Sequence, residues 1–176
     1  GPNQIAVATN GNFNAETGDF SLDLTASAVG LNVGDAVPPQ LLAGRTEIVA
    51  TASRSGDVLS LTDLSVSNPE LTLSGEASVS PTVSRIDVDA RLANVGLFTD
   101  ALSGPVSANA TVTRQGEDPW QVDADLGGPG GMNANVVGRV GLPNNTVDLR
   151  VNGQAPLARA LEQPLVIEGR RQRLGA

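Results

Sequence analysis

The sequence predicts an all-β protein: one long antiparallel, folded-over sheet with an apolar groove and a few short helical turns. Three observations carry that expectation. Apolar and polar residues alternate with a period of two through about ten segments. The links between segments are mostly short and rich in Gly, Asn, Asp or Pro, which makes neighbouring strands antiparallel. No long amphipathic helix is available to cover the apolar face, so the sheet must fold over on itself or be covered by something foreign.

The elements follow in order. Gly1 and Pro2 resemble the scar of a cleaved tag and are set aside, leaving 3–176 as the folded unit. A weak alternation covers 5–9. A clear one runs through Phe20, Leu22, Leu24, Ala26 and Ala28, with Ser21, Asp23, Thr25 and Ser27 between them. Segment 46–54 is weaker. In 58–67 the phase slips: Leu59 and Leu61 are odd, Leu64 and Val66 even, which places a bulge near Thr62 or Asp63. Leu71 to Val79 and Ile86 to Leu92 alternate strictly, as do Val106 to Val112, Trp120 to Leu126 and Val147 to Val151. Segment 132–140 is weaker again. "RSGD", "RQGED" and "LPNN" read as hairpin ends. Helical turns are expected only at 37–44, 96–104 and 156–163.

Those three turns recur because the chain repeats itself. Leu42, Gly44, Ala50, Thr51, Arg54 and Gly56 align without gaps on Leu102, Gly104, Ala110, Thr111, Arg114 and Gly116. The unit is about 60 residues, with copies near 20–80, 84–141 and an incomplete one at 146–176. The expectation is a fragment of a longer repeat array. An exposed strand near Val147–Val151 or Leu165–Glu168 would then invite edge-to-edge association of the fragment with itself.

Composition limits the chemistry. The formal charge is −8, and all 11 cations are Arg. An acidic chain without a basic stripe is a poor binder of nucleic acid and gains little from anionic membrane surfaces. Aromatics are 2% of residues: Phe13, Phe20, Phe98 and Trp120. The inward residues are therefore small and medium aliphatics, a lining that leaves a groove rather than a filled core. There is no Cys, and no apolar run is long enough to span a membrane as a helix.

No enzyme is expected. His, Cys, Tyr and Lys are absent, which removes the usual bases and many nucleophiles. Asp87/Asp89 and Asp123/Asp125 stand two apart on strands, about 7 Å along one face, a separation that suits an acid/base pair. Both pairs fall on the polar phase, where solvated surface charge is the plainer reading. "LGGPGGMN" (126–133) lacks the Lys, Ser/Thr and helix of a phosphate loop, and reads as a hairpin loop. Asn109 and Asn144 begin glycosylation-type triplets, which matter only in a secretory eukaryotic setting. Trp120 reads as a packing anchor at a rim. No metal or cofactor is expected.

Units with "L-x-G" after a short helical turn, followed by alternating strands such as "LSLTDLSVSNPELTLSGEASVS" (59–80), resemble the TamB family of Gram-negative bacteria. The resemblance covers essentially all of 3–176 and rests on diffuse patterns. These proteins belong with the AsmA-like, bridge-type lipid-transfer proteins. The resemblance implies a long β-taco with a greasy interior, lying in the periplasm, its parent held at the inner membrane by an anchor that this chain lacks. It also implies a TamA-like Omp85 outer-membrane barrel as partner of the parent, with roles in phospholipid movement between membranes and in outer-membrane protein assembly.

On that reading the groove that shields acyl chains is lined by Leu22, Leu24, Ile48, Leu71, Leu73, Ile86, Val88, Val106, Ala108, Ala110, Val122, Leu126, Val147 and Leu149. Two alternatives stand beside it. One is a chaperone-like scaffold that takes outer-membrane protein strands by β-augmentation. The other is a structural β-repeat stalk with a closed, filled core.

Overall fold

The structure, a computed structural model, describes residues 4–30, 39–141, 146–155 and 165–168. Its strands are β1 (Gln4–Phe13), β2 (Phe20–Val29), β3 (Arg45–Ser55), β4 (Val58–Ser67), β5 (Leu71–Val79) and β6 (Val83–Leu92). They continue as β7 (Val106–Gln115), β8 (Trp120–Gly127), β9 (Asn133–Gly141), β10 (Thr146–Ala155) and β11 (Leu165–Glu168). All belong to one antiparallel 11-stranded sheet whose spatial order is the order of the chain. Every strand is hydrogen-bonded to its sequence neighbours, and β1 and β11 do not meet, so the sheet is not a closed barrel. The fold is all-β, as the alternation requires. Beyond the ten expected segments it contains β11, only four residues long.

The two rims of the sheet differ. At one rim the described links are short: 14–19, 56–57, 80–82 and 116–119. At the other rim run the longer connections, which hold two 3₁₀ turns, Pro39–Leu42 and Val95–Leu97. Two of the expected helical turns therefore form, and both stand at the same rim. The third, at 156–163, lies outside the described residues, as do the "LPNN" hairpin end and Asn144. Pro129–Gly131, inside the Gly-rich stretch, makes a further 3₁₀ turn between β8 and β9.

The bulge falls where the phase slip puts it. Thr51 pairs with Thr62 but Val49 with Ser65, and the register shifts again between Leu61 and Leu64 on the β5 side. Asp63 is the extra residue. Its φ of 54° lies in the left-handed region, which Asp tolerates better than most residues. The slip keeps Leu59, Leu61, Leu64 and Val66 on one face.

The repeated segments occupy equivalent places. Arg54 and Arg114 are the penultimate residues of β3 and β7. Gly56 and Gly116 follow in the turns with φ of 57° and 52°. A Cβ on Gly44 would meet Pro69 at 2.9 Å, and one on Gly104 would meet Pro129 at 3.2 Å. Each long connection thus packs its glycine against the proline of the next turn on the same rim, and the two contacts stand four strands apart.

Candidate functional site: an open apolar face

In an antiparallel sheet, residues paired in register share a face. Following the pairs across the sheet gives rows of apolar side chains running perpendicular to the strands. One row is Leu22, Ala52, Leu61, Ala77, Ile86, Val112, Val122, Gly138 and Leu149. A second is Ala26, Ile48, Val66, Leu73, Ala90, Ala108, Leu126 and Ala134. Between them lies a row of smaller groups: Gly75, Val88, Ala110, Ala124 and Val136. All fourteen residues expected to line the groove stand on this face: Leu24 opposite Ala50, Leu71 opposite Leu92, Val106 opposite Leu92, Val147 opposite Val140, and the others in the rows above.

Among the described residues no second layer of strands covers this face, and only rim connections such as those holding Leu102 and Met132 reach it. Among the described residues the buried hydrophobic side chains are Ala28, Leu41 and Ala50. Groove residues in the middle of strands, such as Leu73 and Val88, are half-buried by their row neighbours, whereas Leu22 is 39% exposed and Leu149 43%. The accessible surface is 12746 Å² for a chain of 17.9 kDa. A globular chain of that mass exposes about 8000 Å². The open, one-layer sheet contributes to the excess.

The opposite face is polar and knitted across strands. The Thr51 hydroxyl donates to Asp23 at 2.9 Å, and the Thr111 hydroxyl to Asp87 at 2.7 Å. The Asn135 amide donates to Asp125 at 2.9 Å and Asp123 at 3.2 Å. Arg85 grips Asp87 with Nε at 2.6 Å and a terminal nitrogen at 2.8 Å. That grip, together with the Thr111 hydroxyl, holds the Asp87 carboxyl below its ordinary range, and the same pairing raises Arg85. Asp19 is likewise lowered, first by the Gly56 N–H at 2.8 Å and then by the Thr17 hydroxyl. This bond ties the β1–β2 turn to the β3–β4 turn.

The hollows fall on both faces, as the twist of a large open sheet produces. The larger, about 930 Å³, opens on the polar face over β6 to β10, among Asp87, Asp89, Asp123, Asp125, Asp148, Arg139 and Arg150. The paired aspartates therefore do face a concavity. Their neighbours are Thr, Asn and Arg, and among the described residues no group of three or more acidic side chains is placed to hold a metal ion. The hollow on the apolar face, about 380 Å³, lies at the rim of long connections, between Leu102, Val106, Leu126, Met132, Val151 and Ala155. Leu102 and Met132 belong to the connections, and reading strands alone missed them.

Two further residues were missed. Arg54 and Arg114 lie on the apolar face: Arg54 opposite Phe20 and Leu59, Arg114 opposite Ser84. Their even numbers match the apolar phase of their strands, so the signal was present. Trp120, expected as a rim anchor, is half-buried at the start of β8, and the Arg114 guanidinium lies over its ring at 4.7 Å.

The fold and this face define a class: an open antiparallel β-sheet with one uncovered apolar surface suited to a lipid or an extended peptide. No protein-family model, curated protein or solved structure matches the chain. Among the described residues no helix is long and apolar enough to cross a membrane.

Proposed function

We propose that this chain is a periplasmic segment of a TamB-like protein, and that its apolar face shields acyl chains of phospholipids passing between inner and outer membranes. The parent would meet a TamA-like barrel at the outer membrane and contribute to outer-membrane protein assembly. The observation that carries this is the apolar face itself, continuous through the rows from β2 to β10 with no second layer over it among the described residues. At about 4.8 Å per strand those nine strands offer roughly 38 Å of such surface. A filled stalk would bury these side chains. A catalyst would need reactive groups gathered in a cleft, and the function proposed here needs none.

One observation favours a second reading, capture of a peptide strand by β-augmentation. β1 pairs only with β2 among the described residues, and its ten residues carry no charge to deter a further strand.

Native mass spectrometry separates the two. Phospholipid retained by the purified chain supports the acyl reading. Val88→Arg is the matched perturbation: Val88 stands between Gly75 and Ala110, so a long side chain has room to lie along the open face and reach water. The variant should keep its circular dichroism and lose bound lipid. Undiminished lipid in a folded variant would count against the acyl reading, and retained peptide without lipid would favour augmentation.

A further inference from the structure

We propose that Arg114, stacked on Trp120 at the short-turn rim, binds the anionic phosphate-type headgroup of an amphiphile whose hydrocarbon lies along the apolar face. This rests on the acyl reading above and adds to it a polar anchor and a preference for charge. A guanidinium on an apolar surface is costly unless its donors are satisfied. Arg114 Nε is buried and has no hydrogen-bond partner. Among the described residues the ion pairs are Arg45–Glu47 and Arg85–Asp87, both on the polar face, so no carboxylate neutralises Arg114. Trp120 lies against the guanidinium at 4.7 Å; Nε is closed off, and the two terminal nitrogens, neither buried nor hydrogen-bonded, leave an outer N–H edge able to donate. That edge is a fork matched to phosphate oxygens. Directly beside it begin Val112, Ile86 and Val122, the apolar row on which a hydrocarbon tail would rest.

Its repeat-mate Arg54 supplies the contrast. Arg54 donates Nε to the Gly56 carbonyl at 3.0 Å, so the donor that is orphaned in Arg114 is engaged here. The difference lies in the turns. Two residues, Gly56 and Asp57, link β3 to β4, whereas four link β7 to β8 and end at Pro119, which delivers Trp120 under the arginine. The chain's charge of −8 opposes anions at long range, so any preference for a negative headgroup must be local.

The test uses the sole tryptophan, Trp120, as reporter. Its fluorescence is followed while the 176-residue chain is titrated, below micelle formation, with dodecyl phosphate, dodecyl maltoside or inorganic phosphate. Dodecyl phosphate should bind at least about tenfold tighter than the maltoside, as two charge-assisted hydrogen bonds imply. Inorganic phosphate should be far weaker than either. Arg114→Gln should erase the preference while leaving maltoside binding intact, which also shows that the variant is folded. Arg54→Gln should keep the preference. Equal binding of both amphiphiles by the unaltered chain, or a preference that survives Arg114→Gln, overturns the anchor and leaves the acyl reading standing. Inorganic phosphate binding as tightly as dodecyl phosphate makes this a free-anion site and also overturns it. Failure of both amphiphiles to bind overturns the acyl reading with it.

Discussion

Three leucines measure how open the apolar face is. Leu41 is 7% exposed, Leu22 39% and Leu149 43%. Leu→Ala removes three carbons, worth about 0.8 kcal/mol each when fully buried. At Leu22 and Leu149 roughly three fifths of that transfer is realised, or about 1.5 kcal/mol. Water already reaches both positions, so no closed cavity adds to the loss. At Leu41 the full transfer applies, and a cavity term raises it to about 2–4 kcal/mol. Urea unfolding of each variant, followed by circular dichroism, reads the three values directly. The order expected is Leu41→Ala most damaging, with Leu22→Ala and Leu149→Ala alike and smaller. A loss near 3 kcal/mol or more at Leu22 or Leu149 would mean that something covers the face, and would refute the open sheet.

Other perturbations test its supports. Gly75→Val should lower the urea midpoint by about 1–3 kcal/mol in stability, because a Cβ there would stand 2.8 Å from the Asp87 carbonyl oxygen in β6. Asn68→Ala should cost about 1–3 kcal/mol, since that side chain donates to the Leu41 carbonyl at 2.9 Å and accepts from the Glu70 and Leu71 N–H groups at 2.9 and 2.7 Å. Asp87 is lowered in the folded chain, so its contribution is present above the unfolded carboxyl pKa and is lost as pH falls through the folded one. Urea midpoints measured from pH 7 down to pH 2 should therefore converge for the unaltered chain and Asp87→Asn below about pH 4. At pH 7 Asp89→Asn should shift stability by no more than about 0.5 kcal/mol.

Much of this architecture was legible because a strand writes its two faces into alternate residues. Leu59, Leu61, Leu64 and Val66 revealed even the bulge, since a slip in phase has no other economical explanation. The short links announced antiparallel neighbours, and the sheet order follows the chain. The curvature was not legible. Twist accumulates over many strands, and no residue of β6 says that its aspartates will share a hollow with Arg150 of β10. The rims were also obscure, because Leu102 and Met132 reach the apolar face from connections with no period to read. Arg54 and Arg114 were visible as repeats, but a charge at the end of an alternating run looks like the start of a turn. Their phase alone marks them as members of the apolar face.

The central claim is that one face of this sheet, and not the other, carries hydrocarbon. Photocrosslinking with a benzophenone-bearing phospholipid, mapped by peptide mass spectrometry, tests it at single-residue spacing along β6. Adducts on Ile86, Val88 and Ala90, with Asp87 and Asp89 unlabelled, are expected. Labelling of Asp87 and Asp89 instead, or of both sets equally, would contradict it.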